Sequence, residues 1–451
     1  MKRIVIIGGG ISGLTVAYAL LMKRHGLDLT LLEADSRAGG KIWSERFDGF
    51  ICEKGPNGFL DNRPMTLELC SNLSLTPLRA SDNAKRRYIL TGHTLKPIPE
   101  SPPAFFSSDI LSLWGRLRVL YEPLVPRVRD DETVAEFVRR RLGREALEML
   151  IDPMVSGIFA GDPYRLSMES CFPRLKELER EYGSLFKALI KIKRERKGGV
   201  SVTPGGRLTS FQTGLEGIVD SLSRIIGDCI KTGIRVNGIE RTGGVYRILT
   251  SNGLFEADIV ILACPAYESA LILRGFDDVI YNELMAIPYP PIVVVCFGYK
   301  KGDVGHPLDG FGFLIPHKEG RRILGTLWDS SIFPERAPTG YVLLRTMVGG
   351  ARGERFATLD DDKIIRLVLE EISPVLGLKG EPEMIRLYRW EKAIPQYETG
   401  HSKRLQMIWE RLRLYPGLYL TGNAYRGIGM NDCIENSFRV AVEVLKGLNE
   451  S

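Results

Sequence analysis

Ile4-Val5-Ile6-Ile7-Gly8-Gly9-Gly10-Ile11-Ser12-Gly13-Leu14 lies at the start of the chain, and its reading decides the fold. Ile4 to Ile7 are all apolar and β-branched, which suits a strand buried on both faces of a parallel sheet. Gly8-x-Gly10-x-x-Gly13 follows, and the residues from Gly13 to Met22 are helix-like. Leu29 to Leu32 is a second short strand ending at Glu33. Strand, glycine turn, helix and strand make a βαβ unit. Each glycine then has a task in holding a dinucleotide. Gly8 permits the tight turn, Gly10 lets the backbone approach a pyrophosphate, and Gly13 lets helix and strand pack closely. Ile11 and Ser12 stand at the helix start, where unpaired N–H groups and the positive dipole end attract phosphate. Glu33 lies twenty residues after Gly13 and can accept hydrogen bonds from ribose hydroxyls. A lone GxGxxG is weak, but its setting between strand and helix, with that carboxylate, makes it specific. The bland alternative is a glycine-rich turn without a ligand.

The chain has 451 residues, for which length alone suggests about three domains. A hydrophobic fraction of 44% and a charged fraction of 26% exclude wholesale disorder. Sixty-one Lys and Arg against 55 Asp and Glu leave a net charge of +6. That is too weak to indicate nucleic acid, and it suits an acidic substrate or an anionic lipid surface. Seven cysteines (52, 70, 171, 229, 264, 296 and 433) are scattered without a CxxC pair. The pattern argues against a metal site or a disulfide framework and for a reducing, cytoplasmic compartment. The N-terminal glycines break the apolar run that could otherwise pass for a secretory signal. No uninterrupted apolar run reaches the ~18–20 residues of a transmembrane helix, which leaves surface attachment to a membrane open.

Further along, prolines 97, 99, 102 and 103 open a stretch with helix-like segments at 110–121, 134–142 and 146–151. The basic tract Lys187 to Lys197 closes it, so 96–205 reads as a helical insert. A small β-meander at 234–249 and a buried strand at 258–263 follow. Four strand-like runs fill 292–350. The tail has a strand at 418–421, a glycine turn and a helix from about Asp432. Ile434, Phe438, Ala441, Val444, Leu445 and Leu448 make one apolar stripe on that helix. Asp432 and Glu435 have the spacing of an N-cap and its capping-box partner.

After Glu33 and Ala34 come Arg37, Gly39, Gly40 and Lys41. This Arg-x-Gly-Gly resembles the FAD-binding segment of amine-oxidase-like flavoproteins, in which the paired glycines bring backbone near the diphosphate. A nicotinamide enzyme has no need of the second doublet. The resemblance therefore implies non-covalent FAD.

A more specific resemblance runs nearly end to end. Gly55-Pro56-Asn57-Gly58-Phe59-Leu60, Ala160-Gly161-Asp162-Pro163, Gly312-Phe313-Leu314-Ile315-Pro316, Ala393-Ile394-Pro395-Gln396-Tyr397-x-x-Gly400-His401 and Gly422-Asn423 with Gly427 to Ile434 carry it. With these the chain resembles the oxygen-dependent protoporphyrinogen oxidases and the similar coproporphyrinogen oxidases of some bacteria. The implied fold class is α/β: a Rossmann-like FAD-binding domain (1–75, 206–266, 400–451), a mixed-sheet substrate-binding domain (76–95, 267–399) and a helical membrane-binding insert (96–205). The implied activity is oxidation of protoporphyrinogen IX to protoporphyrin IX in haem synthesis. It proceeds in three two-electron steps through FAD to dioxygen, giving hydrogen peroxide.

By the same resemblance, Gly55, Pro56, Asn57, Val236, Gly422, Asn423, Gly429 and Met430 join the cofactor site, and Asn57, Gly312, Leu314 and Met347 line the substrate slot. Flavin performs the chemistry, so no side chain is assigned a catalytic step. The partners implied are a porphyrinogen and dioxygen, with a membrane surface, a ferrochelatase and a second copy of the chain as candidates, and no nucleic acid. The expected location is cytoplasmic, peripheral on the inner membrane face.

One departure stands out. Several family members place an arginine at position 57, where it can pair with a substrate propionate, and Asn57 cannot form that pair. His401 reads as a structural hydrogen-bonder and not as a base. Trp390 and Tyr397 read equally as aromatic walls or packing. Phe105, Phe106 and Leu111 to Trp114, with Arg116 and Arg118, are membrane-anchor candidates whose default reading is buried core. The rival functions are a coproporphyrinogen III oxidase, a flavin amine oxidase, and a non-catalytic porphyrin-binding flavoprotein. An amine oxidase calls for a lysine near the flavin and an aromatic cage, and neither is identified.

Overall fold

Strand alternation sends Ile4 and Ile6 to one side of a sheet and Val5 and Ile7 to the other, and both sides are buried. The sheet is parallel and five-stranded, ordered Ile230–Lys231, Asp28–Leu32, Arg3–Ile7, Ile259–Leu262, Leu418–Leu420. The computed structural model describes residues 2–24, 26–99, 102–128, 130–195 and 206–449, so the end of the 187–197 tract lies outside it. Ile4 and Ile6 pack with Leu14 of helix Ile11–Lys23, Leu222 of helix Gly217–Ile226 and Val444 of helix Met430–Asn449. On the other face, Val5, Ile7 and Leu262 meet Ile239, Tyr246 and Ile248 of an antiparallel meander, Val236–Thr242, Val245–Thr250 and Gly253–Ala257. Residues 267–287, placed by sequence with the substrate-binding region, contribute Ala270, Leu273, Ile280 and Leu284 to this same layer.

A second sheet is seven-stranded, in the order Met384–Trp390, Ile292–Lys300, Tyr341–Gly349, Ile323–Trp328, Gly312–Leu314, Tyr88–Thr91, Thr94–Pro97. It is mixed, because Gly312–Leu314 pairs in parallel with Tyr88–Thr91 while the other pairings are antiparallel. Helix Asp361–Leu376 covers one face through Ile364, Val368 and Ile372. The other face meets Phe50 and Cys52 of the hairpin Ser44–Phe47/Phe50–Glu53.

The insert is helical and has its own core of Val134, Phe137, Val138, Leu147, Val155 and Phe159. Helix Val134–Arg141 starts on a capping box of Thr133 and Glu136. The wholly buried Arg141 lies between Glu122 (3.0 Å) and Glu179 (2.6 Å).

The tail helix departs from expectation. It begins at Met430, and Asp432 is not its N-cap. The Asp432 carboxylate instead reaches back to accept from Gly429 N at 3.3 Å, the task of the third helical residue in a capping box whose cap is Gly429. Glu435 faces Arg63 at 3.5 Å. Gly429 has no side chain to mark it as a cap, which is why the sequence pointed three residues downstream.

Candidate active site

The parallel strands end together, and their carboxyl ends carry the motif residues. Gly8 has φ +107°, and a Cβ there would come within 2.8 Å of Cys264 N on the neighbouring strand end. A Cβ on Gly13 would overlap the Gly8 carbonyl oxygen. These two glycines let turn, helix and strand pack, as the spacing predicted. Gly10 differs. It caps helix Ile11–Lys23 with φ −70° and ψ 178°, no side chain caps the first turn, and that turn has no acidic residue. A Cβ on Gly10 would meet nothing within 4 Å. Open space before uncapped helix N–H groups is what an anionic diphosphate requires, so the residues fit the implied cofactor.

The second glycine doublet closes on the first. Gly39 N donates to Gly9 O at 2.7 Å, and the position a Cβ would take on Gly40 is 3.3 Å from Gly10 Cα. Glu33 is buried, accepting from Gly9 N at 2.6 Å and Asp35 N at 2.8 Å. Burial raises its carboxyl above the usual range. Glu33 thus shapes the glycine loop, which the sequence did not show. Ile234 N donates to Glu33 O at 2.9 Å, which brings the meander and the buried Val236 alongside. Ala34 follows at the same strand end, partly exposed.

Arg37 is held by chain atoms. It reaches Glu216 at 2.5 Å and Ile42 O at 3.0 Å, so its guanidinium braces the loop that carries Gly39 and Gly40. Lys41 is partly buried, donates to Ala393 O and lies 5.4 Å from the centre of the Tyr289 ring. Burial lowers its ammonium to about 8. Gly55 packs against Lys41, since a Cβ there would overlap the Lys41 carbonyl. Pro56 is exposed and Asn57 buried.

Beneath Asn57 lies a charged network that sequence reading missed. Asn57 Nδ2 donates to Asp329 Oδ1 at 3.1 Å. Arg345 Nε is 2.9 Å from Asp329 Oδ2, and another Arg345 nitrogen donates to Gly55 O at 2.9 Å. Arg336 pairs with Glu53 at 3.2 Å, and all four charged groups are buried. Burial raises the Asp329 carboxyl, with Arg345 and Arg336 opposing. Position 57 is therefore joined to a carboxylate already neutralised by Arg345. No local signal marks these residues, because they meet across nearly 300 positions of chain.

Leu314 and Met347 stand on either side of Gly325 in the second sheet, each paired with it in register. Both are partly exposed. Leu314 also lies over Gly157 of helix Asp152–Phe159, whose missing Cβ makes room for it. Gly312 has φ +133°, and a Cβ there would overlap the Thr326 carbonyl, so its glycine serves strand packing.

The final segment completes the constellation. Gly422 has φ +136°, and a Cβ there would lie 3.8 Å from Cys264 O. Asn423 is partly exposed, and Met430 is buried among residues of the first helix. The helices beginning at Ile11 and Met430 pack along one another, with Leu14 of the first and Met430 and Ile434 of the second in one apolar cluster. Two dipole ends then converge where the glycine loops meet. Tyr397 bridges to this segment from the Pro395-Gln396-Tyr397 loop: its hydroxyl donates to Asn423 O at 2.5 Å and accepts from Gly427 N at 3.1 Å. His401 stacks on the Tyr397 ring at 4.2 Å, is buried, and is lowered by that burial to about 4. The imidazole is a packing group, and its buried Nε2 has no hydrogen-bond partner among the described residues, so the expected hydrogen-bonder is not seen at that atom.

The parallel sheet with its glycine turn, beside a mixed second sheet, is the architecture of a dinucleotide-binding oxidoreductase. The profile for "Flavin containing amine oxidoreductase" matches residues 11–445, and the chain belongs to that family. The family's flavin implies FAD as cofactor. The chain is 33% identical to the coproporphyrinogen III oxidase of Bacillus subtilis (strain 168), over 96% of each chain. It is 32% identical to protoporphyrinogen oxidase 1, chloroplastic, of Arabidopsis thaliana, over 98% of this chain and 87% of that one. A crystal structure described as a protoporphyrinogen oxidase from Exiguobacterium sp. 255-15 superposes with a TM-score of 0.86 at 28% identity, covering 99% of both chains.

Proposed function

We propose that this chain is an FAD-dependent porphyrinogen oxidase of haem synthesis. The observation that carries the reading is the end-to-end match to relatives named for porphyrinogens, together with an open phosphate cradle at Gly10. Gly8 to Gly13, Glu33 to Lys41, Gly55 to Asn57, Val236, Gly422, Asn423, Gly429 and Met430 hold the cofactor. FAD held there would supply the two-electron oxidation of the macrocycle, with dioxygen as the final acceptor and hydrogen peroxide as its product. The chain's part is placement and electrostatics. Leu314 and Met347, with Gly325 between them, offer a shallow apolar surface to a flat macrocycle. The paired helix starts present N–H groups to negative charge. Asn57, fixed by Asp329, supplies no cation to a propionate.

Protoporphyrinogen IX, taken to protoporphyrin IX in three such steps, is the substrate the resemblance names first. Coproporphyrinogen III is the second reading. It is favoured by the Bacillus relative, which aligns over nearly the full length of both chains. The test is anaerobic mixing of the flavin-loaded protein with each porphyrinogen, then admission of air. Flavin bleaching by one substrate, followed by porphyrin fluorescence and oxygen uptake, is expected. Bleaching by a polyamine alone would replace this reading with an amine oxidase, and porphyrin binding without oxygen uptake with a non-catalytic carrier.

The helical insert is proposed to rest on an anionic membrane surface. Phe105 and Leu111 face the insert core, but Leu113 is 71% and Trp114 81% exposed, with Phe106, Leu117, Leu120, Tyr121 and Leu124 also exposed. No helix among the described residues is long and apolar enough to cross a membrane. The three-part division, with 1–75, 206–266 and 400–451 around the cofactor, belongs to the same proposal.

A further inference from the structure

We propose that the Tyr397 hydroxyl is a positioning group that aims the start of helix Met430–Asn449 at the cofactor and so favours its reduced form. This rests on the reading of that helix start as a flavin contact.

A phenol has one donor and two acceptor lone pairs. In Tyr397 the donor goes to Asn423 O at 2.5 Å, and one acceptor takes Gly427 N at 3.1 Å. These backbone groups flank the turn between strand Leu418–Leu420 and the helix. The hydroxyl therefore ties the two limbs of the turn together from outside. Asn436 Nδ2, donating to Arg426 O at 2.9 Å, holds the turn from the helix side.

The phenol is itself held in place. The ring is 2% exposed and stacked on His401 at 4.2 Å with an 11° tilt. Its backbone carbonyl accepts from Ser167 N of the insert at 2.8 Å. Tyr397 is thus the junction of the insert, the exit from the second sheet and the final segment. Such a residue can transmit the set of its loop to the helix start, because its bonds have no slack.

Reduced flavin carries more negative charge than oxidised flavin, so the two forms differ in their need for helix-start N–H groups. Gly429 N is already occupied by Asp432, so the remaining N–H groups must be aimed correctly. Removing the hydroxyl leaves Asn423 O and Gly427 N without this partner while ring packing persists. The turn then relaxes, and the reduced form loses more than the oxidised form.

The experiment is Tyr397→Phe in the full chain loaded with FAD, with the midpoint potential measured by dye equilibration. Affinity of the apoprotein for oxidised FAD is measured alongside. The expected result is about a tenfold fall in preference for the reduced cofactor, equivalent to about 30 mV lower potential for a two-electron couple, with oxidised FAD bound within about threefold of wild type. If Tyr397→Phe does not fold, Asn436→Ala removes the other restraint on the same turn without changing its charge and is expected to lower the potential likewise. A variant that keeps its flavin at an unchanged potential overturns the positioning role and leaves the oxidase reading standing. A wild-type chain that retains no flavin overturns both.

Discussion

Gly10→Val separates cofactor binding from folding. The backbone at Gly10 is extended (φ −70°, ψ 178°), a conformation open to any residue, and the Cβ direction is empty for 4 Å. Valine is a poorer helix cap than glycine, so the apoprotein is expected to lose about 1 kcal/mol or less. The isopropyl group would fill the space in which a pyrophosphate meets the uncapped first turn. Displacing two charge-assisted hydrogen bonds, at about 1.5–3 kcal/mol each, costs about 3–6 kcal/mol, or ~10²–10⁴-fold in FAD affinity. Gly13→Ala is the counter-case. Its methyl would overlap the Gly8 carbonyl oxygen and come within 3.3 Å of Ala263 Cβ, so the turn must open at a cost of about 1–3 kcal/mol before any ligand binds. The assay is fluorescence titration of each apoprotein with FAD beside thermal melts with and without FAD. The expected pattern is an apo melt near wild type with no FAD-induced rise for Gly10→Val, and a lowered apo melt for Gly13→Ala. A Gly10→Val protein that binds FAD within threefold of wild type, or that melts as early as Gly13→Ala, refutes the assignment of the phosphate cradle.

Three further outcomes follow from the buried groups and the exposed helix. Burial lowers His401 from the usual 6.5 to about 4, so the unfolded chain takes up a proton there before the folded chain does. Its contribution is full above pH 6.5 and is lost as pH falls toward 4, on the order of 3 kcal/mol. Urea melts at pH 7 and 4.5 should diverge more for wild type than for His401→Gln, and equal slopes would sink the reasoning. Arg345→Met leaves the Asp329 carboxylate buried without its partner and is expected to cost about 3–5 kcal/mol in urea unfolding. Adding Asp329→Leu should restore much of that loss, and a double variant no better than the single one would show the pair is not coupled. Trp114→Glu with Leu117→Glu removes two large apolar side chains from the exposed face, each worth about 1.5–3 kcal/mol if buried in lipid. Co-sedimentation with anionic vesicles should fall by about a hundredfold or more, and unchanged binding would discard the membrane proposal.

What the sequence could show depended on how far the chemistry reached along the chain. Gly8, Gly10 and Gly13 lie within six residues of one another, and Gly8 and Gly13 leave no room for a side chain, so strand, turn and helix were legible together. The mixed sheet was legible as strands, because Ile292 to Phe297 is an unbroken apolar run and Tyr341 to Val348 is interrupted only by Arg345 and Thr346. Their order and register were not, since pairing is settled by side chains distant in sequence. Membrane candidates were half legible. Phe105 and Leu111 are large apolar residues like Leu113 and Trp114, and only the path of the chain decides which turn inward.

The charged residues under position 57 mark the deeper limit. Read alone, asparagine in place of arginine is a lost cation, and the sequence invited a search for a substitute elsewhere. In the folded chain, Asn57 donates to Asp329, and Asp329 is already paired with Arg345. An arginine at position 57 would place a second guanidinium against one carboxylate whose charge is already balanced. Asparagine there matches the charge of its neighbours, as a neutral donor satisfying an oxygen that Arg345 leaves free. The departure from the family pattern is then compensated inside the protein. A substrate propionate must be met by a group outside this network, or by water.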